Sequence, residues 1–201
     1  MKKQPQQGVW NNIAEEWHKF KKNPGRGVED FLKYKKGKIL DLGSGSGRNL
    51  TKIKDTEIYL VDFSEKMLKL AEKKAKNQRI KIKTQQADIT KLPFKDNFFD
   101  SAIAIASFHC LNKKQQKKAA KELFRVLKPK SEALIAVWNK ESKRFKNSPK
   151  EKYVNWRDKG LRYYYLFEEE EIYDLFKKAG FKIKKKVESE VNIVFVAKKT
   201  Q

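Results

Sequence analysis

A glycine-rich loop after a short apolar run is the first part of the chain whose residue types could do chemistry. It reads Asp41-Leu-Gly-Ser-Gly-Ser-Gly47 and follows the run KIL at positions 38–40. Glycines let the backbone turn sharply and approach a ligand closely, because no Cβ stands in the way. An NAD-binding loop requires G-x-G-x-x-G, but position 48 is Arg. A carboxylate at Asp41 would repel a pyrophosphate and can accept a hydrogen bond from an ammonium group. The loop therefore favours a cationic ligand.

Two further acids follow the next two strand-like segments. Asp62 follows the segment EIYLV directly, and Asp88 precedes Ile89 after the segment IKIKT. Asp62 can accept both hydroxyls of a ribose, although alone it could be a turn acid before Ser64, and a nicotinamide dinucleotide would need it too. Asp88 can accept an adenine amino group. Together with the loop they predict S-adenosylmethionine as cofactor, bound by Asp41, Gly43, Ser44, Gly45, Gly47, Asp62, Phe63, Ser64, Asp88, Ile89 and Ala106.

Strand-like and helix-like segments alternate along the chain, which predicts an α/β fold with a mostly parallel sheet. Seven strands are expected, over residues 38–42, 57–61, 80–84, 100–106, 132–138, 181–187 and 191–197. The link between the last two is short, so they should pair antiparallel. With helices on both faces, this pattern is typical of the Rossmann-like fold of class I methyltransferases.

Helices are predicted between these strands. A short one is expected over 48–54, one over 65–76 with Ser64 as its N-cap, one from Asn112 to Pro129, and one from 168–171 to about Ala179. We expect a single domain over 1–201. Residues 1–36 would form an N-terminal helical cap with an apolar stripe, residues 37–201 the Rossmann-like core, and about 139–167 an insertion on the substrate side.

The composition is strongly basic. The 201 residues include 48 Lys and Arg against 25 Asp and Glu, a net charge of +23. Such a surface attracts polyanions such as RNA or DNA. Because 41 of the 48 are Lys, codon bias in an A/T-rich genome would explain the charge equally simply.

A single cysteine, Cys110, excludes an internal disulfide and a cysteine-built zinc site, and no metal site is predicted. No secretory signal or membrane span is recognisable, so a cytoplasmic location is expected.

Nearly the whole chain resembles class I methyltransferases. Their motifs D-x-G-x-G-x-G, D-x-S, D-x-x-x-L-P-F and F-D are matched here in order by DLGSGSG, DFS, DITKLPF and FFD. A narrower resemblance is to the wobble-uridine tRNA methyltransferases, which esterify 5-carboxymethyluridine in the anticodon. It is carried by IAEEW, IAIASFHCL, AVWN, YVNW, RYYYLF and EVNIV. The element RYYYLF, between the fifth strand and the final helix, is the most specific of these.

The narrower resemblance implies that the acceptor is a tRNA carboxylate. A carboxylate is already ionised at neutral pH and can attack a methyl group without a general base. The groups expected to hold it are His109, Arg162 and Asn192, and the expected substrate-binding residues are Arg26, Trp156, Arg157 and Tyr163. His109 could equally be a structural histidine that fixes a turn. Trp156 and Tyr163 could equally form a hydrophobic lid over the cofactor.

The segment 153–167 is expected to divide between core and substrate side. Its inward-facing residues would be Leu161, Tyr164, Leu166 and Phe167, and its substrate-facing residues Trp156, Arg157, Arg162 and Tyr163. The resemblance also implies two partners, tRNA and a small zinc-binding activator subunit, the latter along the edge strand near Ile80–Thr84. Two other functions stay open: a small-molecule class I methyltransferase, and a non-catalytic S-adenosylmethionine-binding RNA module.

Overall fold

A seven-stranded sheet forms the centre of the computed structural model, which describes residues 5–200. In chain order the strands are β1 (Gly37–Leu42), β2 (Thr56–Asp62), β3 (Ile82–Gln86), β4 (Phe99–Ile105), β5 (Leu127–Trp138), β6 (Glu151–Asn155), β7 (Leu161–Tyr165), β8 (Phe181–Val187) and β9 (Asn192–Lys199). The sheet order is β3-β2-β1-β4-β5-β9-β8, while β6 and β7 form a separate hairpin. Strands β1 to β5 pair in parallel, and β9 is antiparallel to both neighbours. The predicted fold class is confirmed.

Among residues 5–200, five α-helices surround the sheet: α1 (Gln6–Phe20), α2 (Val28–Leu32), α3 (Glu65–Gln78), α4 (Lys113–Val126) and α5 (Glu169–Lys178). The predicted caps are confirmed. The Ser64 hydroxyl accepts the Met67 N–H at 3.2 Å, and Asn112 forms a reciprocal capping box with Gln115. No helix in the described part of the chain is long and apolar enough to cross a membrane.

Both faces of the sheet are covered, as expected for parallel strands. Along β1 and β4, neighbouring residues alternate between two apolar clusters. Leu40 and Ala102 face α4 and α5, whereas Ile39 and Ile103 face the side that carries α2. Because β1 pairs in parallel with both β2 and β4, the carboxyl ends of these three strands meet at one edge of the sheet.

The helix predicted over 48–54 is wrong, because this segment consists of turns and irregular residues with no helix. Only residues 43–55 connect β1 to β2, close to the shortest crossover between parallel strands. Asn49 also turns its side chain inward, where its Oδ1 accepts the Gly25 N–H at 3.1 Å.

The third strand begins two residues later than predicted. Arg79 has a left-handed backbone conformation, and the Ile80 N–H still donates to the Ala75 carbonyl at the end of α3.

The carboxyl edge of the sheet lies beneath α1 and the β6–β7 hairpin. Ile13 and Ala14 of α1 pack on Met67 of α3. At its other end, Gln6 accepts the Tyr163 N–H at 2.9 Å and donates to the Leu161 carbonyl at 3.1 Å. The N-terminal helix therefore connects α3 to the hairpin across this edge.

Candidate active site

A cavity of about 470 Å³ opens at the carboxyl ends of β1, β2 and β4. This volume lies in the usual range for small-molecule and cofactor sites. Most of the predicted cofactor residues line it, namely Gly43, Ser44, Gly45, Asp62, Phe63, Asp88, Ile89 and Ala106. The structure thus brings three separate sequence motifs to one place.

Three predicted cofactor residues lie behind the cavity wall. Asp41 is buried beneath the loop. Gly47 is packed so closely that an added Cβ would lie 3.0 Å from the Cβ of Ala71. Ser64 caps α3 and donates its hydroxyl to Asn11 of α1 at 2.6 Å. Gly47 and Ser64 therefore support the site and do not line it.

Asp41 is a buried carboxylate with unused bonding capacity. Its side chain is 2% exposed, and its Oδ2 accepts only a long bond of 3.4 Å from Asn49 Nδ2. The buried Oδ1 has no hydrogen-bond partner. Burial raises the pKa of Asp41 to about 7, while Asn49 and the positive charge of Arg48 act in the opposite direction. Such a group is suited to accept from a positively charged ligand.

Asp62 ties the glycine loop to the end of β2. Its carboxylate accepts the Gly45 N–H at 2.8 Å and the Ser64 N–H at 2.9 Å. Burial raises the pKa of Asp62 to about 6 although these N–H groups favour the ionised form. Asp62 is therefore ionised at neutral pH and lies on the wall of the cavity.

The donor and acceptor set of the cavity fits S-adenosylmethionine. The buried hydroxyls of Ser44 and Ser107, like Asp41 Oδ1, have no protein partner, and buried polar atoms normally have one. On the side of β3, the exposed carboxylate of Asp88 lies next to the buried side chain of Ile89. The cavity thus offers acceptors for an ammonium and hydroxyls at one end and an apolar contact at the other.

His109 lies after β4 in a short 3-10 turn, Phe108–Cys110. Its Nδ1 accepts the Trp138 N–H at 3.0 Å, which leaves Nε2 as the N–H donor. Burial, with the positive charges of Arg48 and Lys21, lowers the pKa of His109 to about 3. Burial raises the pKa of the neighbouring Cys110 thiol to about 12. Both groups are uncharged at neutral pH.

We expect the His109 imidazole to remain neutral from about pH 5 to pH 8, the range in which an unperturbed histidine titrates. The reason is that protonation would bury a charge and break the bond from Trp138. In ¹H–¹⁵N spectra of the side chains, assigned with the variant His109→Gln, its ring signals should stay constant across this range. A titration midpoint above pH 5 would contradict the assignment of a neutral donor.

Arg162 is buried within aromatic rings. Its guanidinium carbon lies 4.8–5.9 Å from four ring centroids, those of Trp10, Trp17, Trp156 and Tyr164. Nη1 donates to the Tyr164 hydroxyl at 2.7 Å, and the buried Nε has no acceptor. Cation–π contacts stabilise a desolvated guanidinium but do not satisfy its N–H groups. Arg162 was expected on the substrate side, and it lies inside this cage.

The other predicted substrate residues are scattered. Tyr163 lines the cavity and donates to Glu151 at 3.0 Å. Trp156 packs against Trp17 and Phe20 beside the cavity, at the outer end of the cage. The three remaining residues are not on the cavity wall: Arg157 is exposed, Asn192 pairs with Trp138 across β5 and β9, and Arg26 is exposed in the loop before α2.

Sequence reasoning missed the contribution of α1 to the cavity. Trp10 and Trp17 line it, together with Arg48 and Asn49 from the loop after β1. Their helical spacing was visible in the sequence, but a stripe of this kind is equally typical of core packing. Within residues 5–200 no group of three or more His, Cys, Asp or Glu is arranged to hold a metal ion.

Residues 39–130 match a family model described as a methyltransferase domain. These residues include most of β1, all of β2 to β4, the glycine loop, the acids Asp41, Asp62 and Asp88, and His109. Over these residues the chain is similar to methyltransferase domains, and its sheet order is that of the class I methyltransferase fold. Its cofactor is S-adenosylmethionine, in agreement with the chemistry of the cavity.

One curated relative is the ubiquinone/menaquinone biosynthesis C-methyltransferase UbiE of Wigglesworthia glossinidia brevipalpis. It is 40% identical over 110 residues, which cover 51% of this chain and 43% of that protein. A UbiE protein from Yersinia pestis is 36% identical over the same coverage. The chain thus spans less than half the length of the curated relatives that it matches.

A similar solved structure is that of an S-adenosylmethionine-dependent methyltransferase from Methanosarcina mazei. The TM-score is 0.72 at 22% identity, over 88% of this chain and 99% of that one. A putative methyltransferase of Haloferax volcanii, solved in complex with the Trm112 methyltransferase activator, has a TM-score of 0.67 at 15% identity, with 94% of each chain covered. At these identities the two structures support the fold alone.

Proposed function

We propose that the protein transfers the methyl group of S-adenosylmethionine to a small organic acceptor that is already anionic at neutral pH. The cofactor supplies an electrophilic methyl group on a positively charged sulfur. The observation that carries the proposal is the cavity, which has acidic side chains on the cofactor side and, at the end of β4, the uncharged Cys110 thiol in its wall with the uncharged, buried His109 next to it in the chain.

Residues of this chain would hold the cofactor by complementary charge and hydrogen bonds. Asp41 would accept from the ammonium, directly or through water, and Asp62 would accept from the ribose hydroxyls. Asp88 would accept from the adenine amino group, with Ile89 against the ring. The backbone at Gly43 and Gly45 would approach the cofactor closely, which a side chain at either position would hinder.

The groups at the end of β4 are not suited to deprotonate an acceptor: Cys110 lines the cavity, and His109 is buried and does not line it. His109 is neutral with Nδ1 already occupied, and the raised pKa of Cys110 keeps its thiol protonated. Neither group can take a proton near pH 7 without a large energetic cost. Alignment of the acceptor with the methyl group would then supply most of the rate acceleration, and the acceptor must bring its own negative charge.

The size of the site favours a small acceptor. A cavity of about 470 Å³ must hold a nucleoside-sized cofactor as well as the acceptor, and α1 and the hairpin cover it. The curated relatives that match the chain are named as C-methyltransferases of quinone biosynthesis. Their names support a small organic acceptor here without identifying it.

A second candidate function is methylation of a tRNA, at the carboxylate of 5-carboxymethyluridine in the wobble position. The net charge of +23 favours it, because basic surfaces attract the phosphate backbone. The resemblance carried by RYYYLF supports it as well. In this case an activator subunit would add a strand to the edge strand β3, whose observed bounds are Ile82–Gln86, by β-augmentation.

Transfer of labelled methyl groups separates the two candidates. The protein is incubated with methyl-labelled S-adenosylmethionine and, in separate reactions, with a small-molecule extract of cells or with tRNA that carries 5-carboxymethyluridine. The tRNA reaction is run with and without an added activator subunit. The control is Asp41→Asn, which should lose transfer in both reactions.

The location and stability of the label decide the outcome. Label in the small-molecule fraction supports the first proposal. Label in tRNA that mild alkali removes indicates a methyl ester and supports the second, whereas alkali-stable label in tRNA contradicts an ester. Transfer to neither substrate, by protein that binds the cofactor, would overturn both candidates.

A further inference from the structure

Four positively charged side chains from separate parts of the chain converge beside the end of β4. They are Lys21 after α1, Arg48 after the glycine loop, Arg144 between β5 and β6, and Arg162 in β7. Burial, and after it the charges of the three arginines, lower the pKa of Lys21. The cluster extends from the exposed Arg144 to Arg162, which is 5% exposed.

Aromatic rings connect the members of this cluster. The Lys21 ammonium lies 5.7 Å and the Arg162 guanidinium 5.3 Å from the ring centroid of Trp17. Arg144 lies 5.7 Å from the ring of Trp138, which stacks on Tyr164 at 4.2 Å. His109 contacts the same two rings, Trp138 and Tyr164. Arg48 and the shared ring of Trp17 line the cavity, so the cluster adjoins the cavity wall.

These charges are poorly neutralised by the protein. Within residues 5–200 none of the four forms an ion pair within 4.0 Å. Asp41 attracts Arg48, but it lies on the cofactor side of the loop. Glu16, in the wall next to Trp156, already accepts from Trp156 and Lys159, both at 2.7 Å. The buried Nε of Arg162 has no acceptor.

We propose that this cluster binds a phosphate group of the acceptor. The inference rests on the proposed methyl transfer, and it adds which functional group the acceptor carries besides the reacting atom. A carboxylate would bring one negative charge to a site with three cations that no acid offsets. A phosphate brings up to two charges and more acceptor atoms, which match a guanidinium and an ammonium. The aromatic walls would contact the rest of the acceptor.

Small phosphate probes test the proposal by calorimetry on protein saturated with S-adenosylhomocysteine. Phenyl phosphate represents a phosphomonoester, methyl phenyl phosphate a phosphodiester, and benzoate a carboxylate of similar shape. We expect one of the two phosphates to bind at least about 10-fold more tightly than benzoate, as for a charge-assisted site. Preference for the monoester indicates a phosphorylated small molecule, and preference for the diester indicates a nucleic acid.

Variants of the cluster locate the binding site. Arg162→Gln should weaken phosphate binding about 10-fold or more and Arg162→Lys should weaken it less, because the charge is retained. Lys21→Gln and Arg144→Gln should have smaller effects. The matched control is Lys118→Gln, which removes one exposed positive charge from α4 and should leave binding unchanged. Retained affinity for S-adenosylhomocysteine shows that each variant is folded.

Two results would overturn the phosphate site. One is benzoate binding as tightly as both phosphates. The other is equal phosphate affinity in Arg162→Gln and the unaltered protein. Failure of the proposed function gives a different result, in which phosphate binds at the cluster but labelled methyl groups are transferred to no acceptor.

Discussion

Replacing Asp41 by Asn is expected to weaken binding of S-adenosylhomocysteine about 10- to 100-fold and, at the same time, to stabilise the free protein above neutral pH. The loss of affinity follows from removing a charge-assisted hydrogen bond to the ligand ammonium, worth about 1.5–3 kcal/mol. The gain in stability follows from the cost of burying a carboxylate whose Oδ1 has no partner. Titration calorimetry and urea unfolding of the free protein measure the two effects.

The direction of the pH dependence follows from the pKa of Asp41. Its folded pKa of about 7 lies above the ordinary value of 3.8, so folding takes up a proton between these values. The free energy of unfolding contributed by this group is therefore fully present below pH 4 and is lost as the pH rises to 7. The difference between the two pKa values corresponds to about 4 kcal/mol of unfolding free energy. Asp41→Asn should raise the free energy of unfolding at pH 8 by about 2–4 kcal/mol. The gain can be smaller than about 4 kcal/mol because the attraction between Asp41 and Arg48 is lost as well.

Ligand binding should show the opposite dependence on pH. Below about pH 7 the free protein carries a protonated Asp41, which must release its proton before it can bind an ammonium. Affinity should therefore fall between pH 8 and about pH 6 in the unaltered protein and change little over this range in Asp41→Asn. Below about pH 6, protonation of Asp62 should weaken binding in both proteins. The matched control is Asp30→Asn, an exposed acid of α2, which should behave like the unaltered protein. Equal affinities of Asp41→Asn and the unaltered protein at pH 8 would refute the assigned role.

The cofactor side of the site was predictable because its residues follow strands. In a parallel sheet the carboxyl ends of neighbouring strands lie at one edge. Locating β1, β2 and, within two residues, β3 from their strand patterns therefore also located Asp41, Asp62 and Asp88. Local patterns were sufficient for this step. The caps at Ser64 and Asn112 were predictable for the same reason, since each depends on residues three positions apart.

The acceptor side depends on contacts between distant parts of the chain, which no local pattern contains. The cage of Arg162 joins β7 to Trp10 and Trp17 of α1, about 150 positions away. An alternating strand pattern indicates that Arg162 and Tyr163 face opposite sides, but not which side is covered by another element. The helix expected over 48–54 does not form for a related reason. The Asn49 side chain hydrogen-bonds to Gly25 and Asp41, which holds this segment in the wall of the site.

Replacing Gly43 by Ala is expected to destabilise the protein by about 2–5 kcal/mol and to disturb the site around His109. Gly43 has φ +75°, a conformation that costs an alanine about 1–2 kcal/mol. An added Cβ would also lie 2.5 Å from the Cβ of Ser107, which requires movement of the segment after β4 and costs about 1–3 kcal/mol more. Urea unfolding measures the loss, and the side-chain ¹H–¹⁵N signals of His109 report the movement.

Gly45 provides the matched comparison, because it also has a positive φ, +54°, but an added Cβ there meets no protein atom within 4 Å. Gly45→Ala should therefore show only the backbone cost of about 1–2 kcal/mol, with unchanged His109 signals. The difference between the two variants measures the contact between the glycine loop and Ser107. Because Ser107 immediately precedes the turn that holds His109, this contact links the position of the cofactor loop to that of the acceptor side. Equal destabilisation by the two alanines would show that the loop and the end of β4 are not coupled in this way.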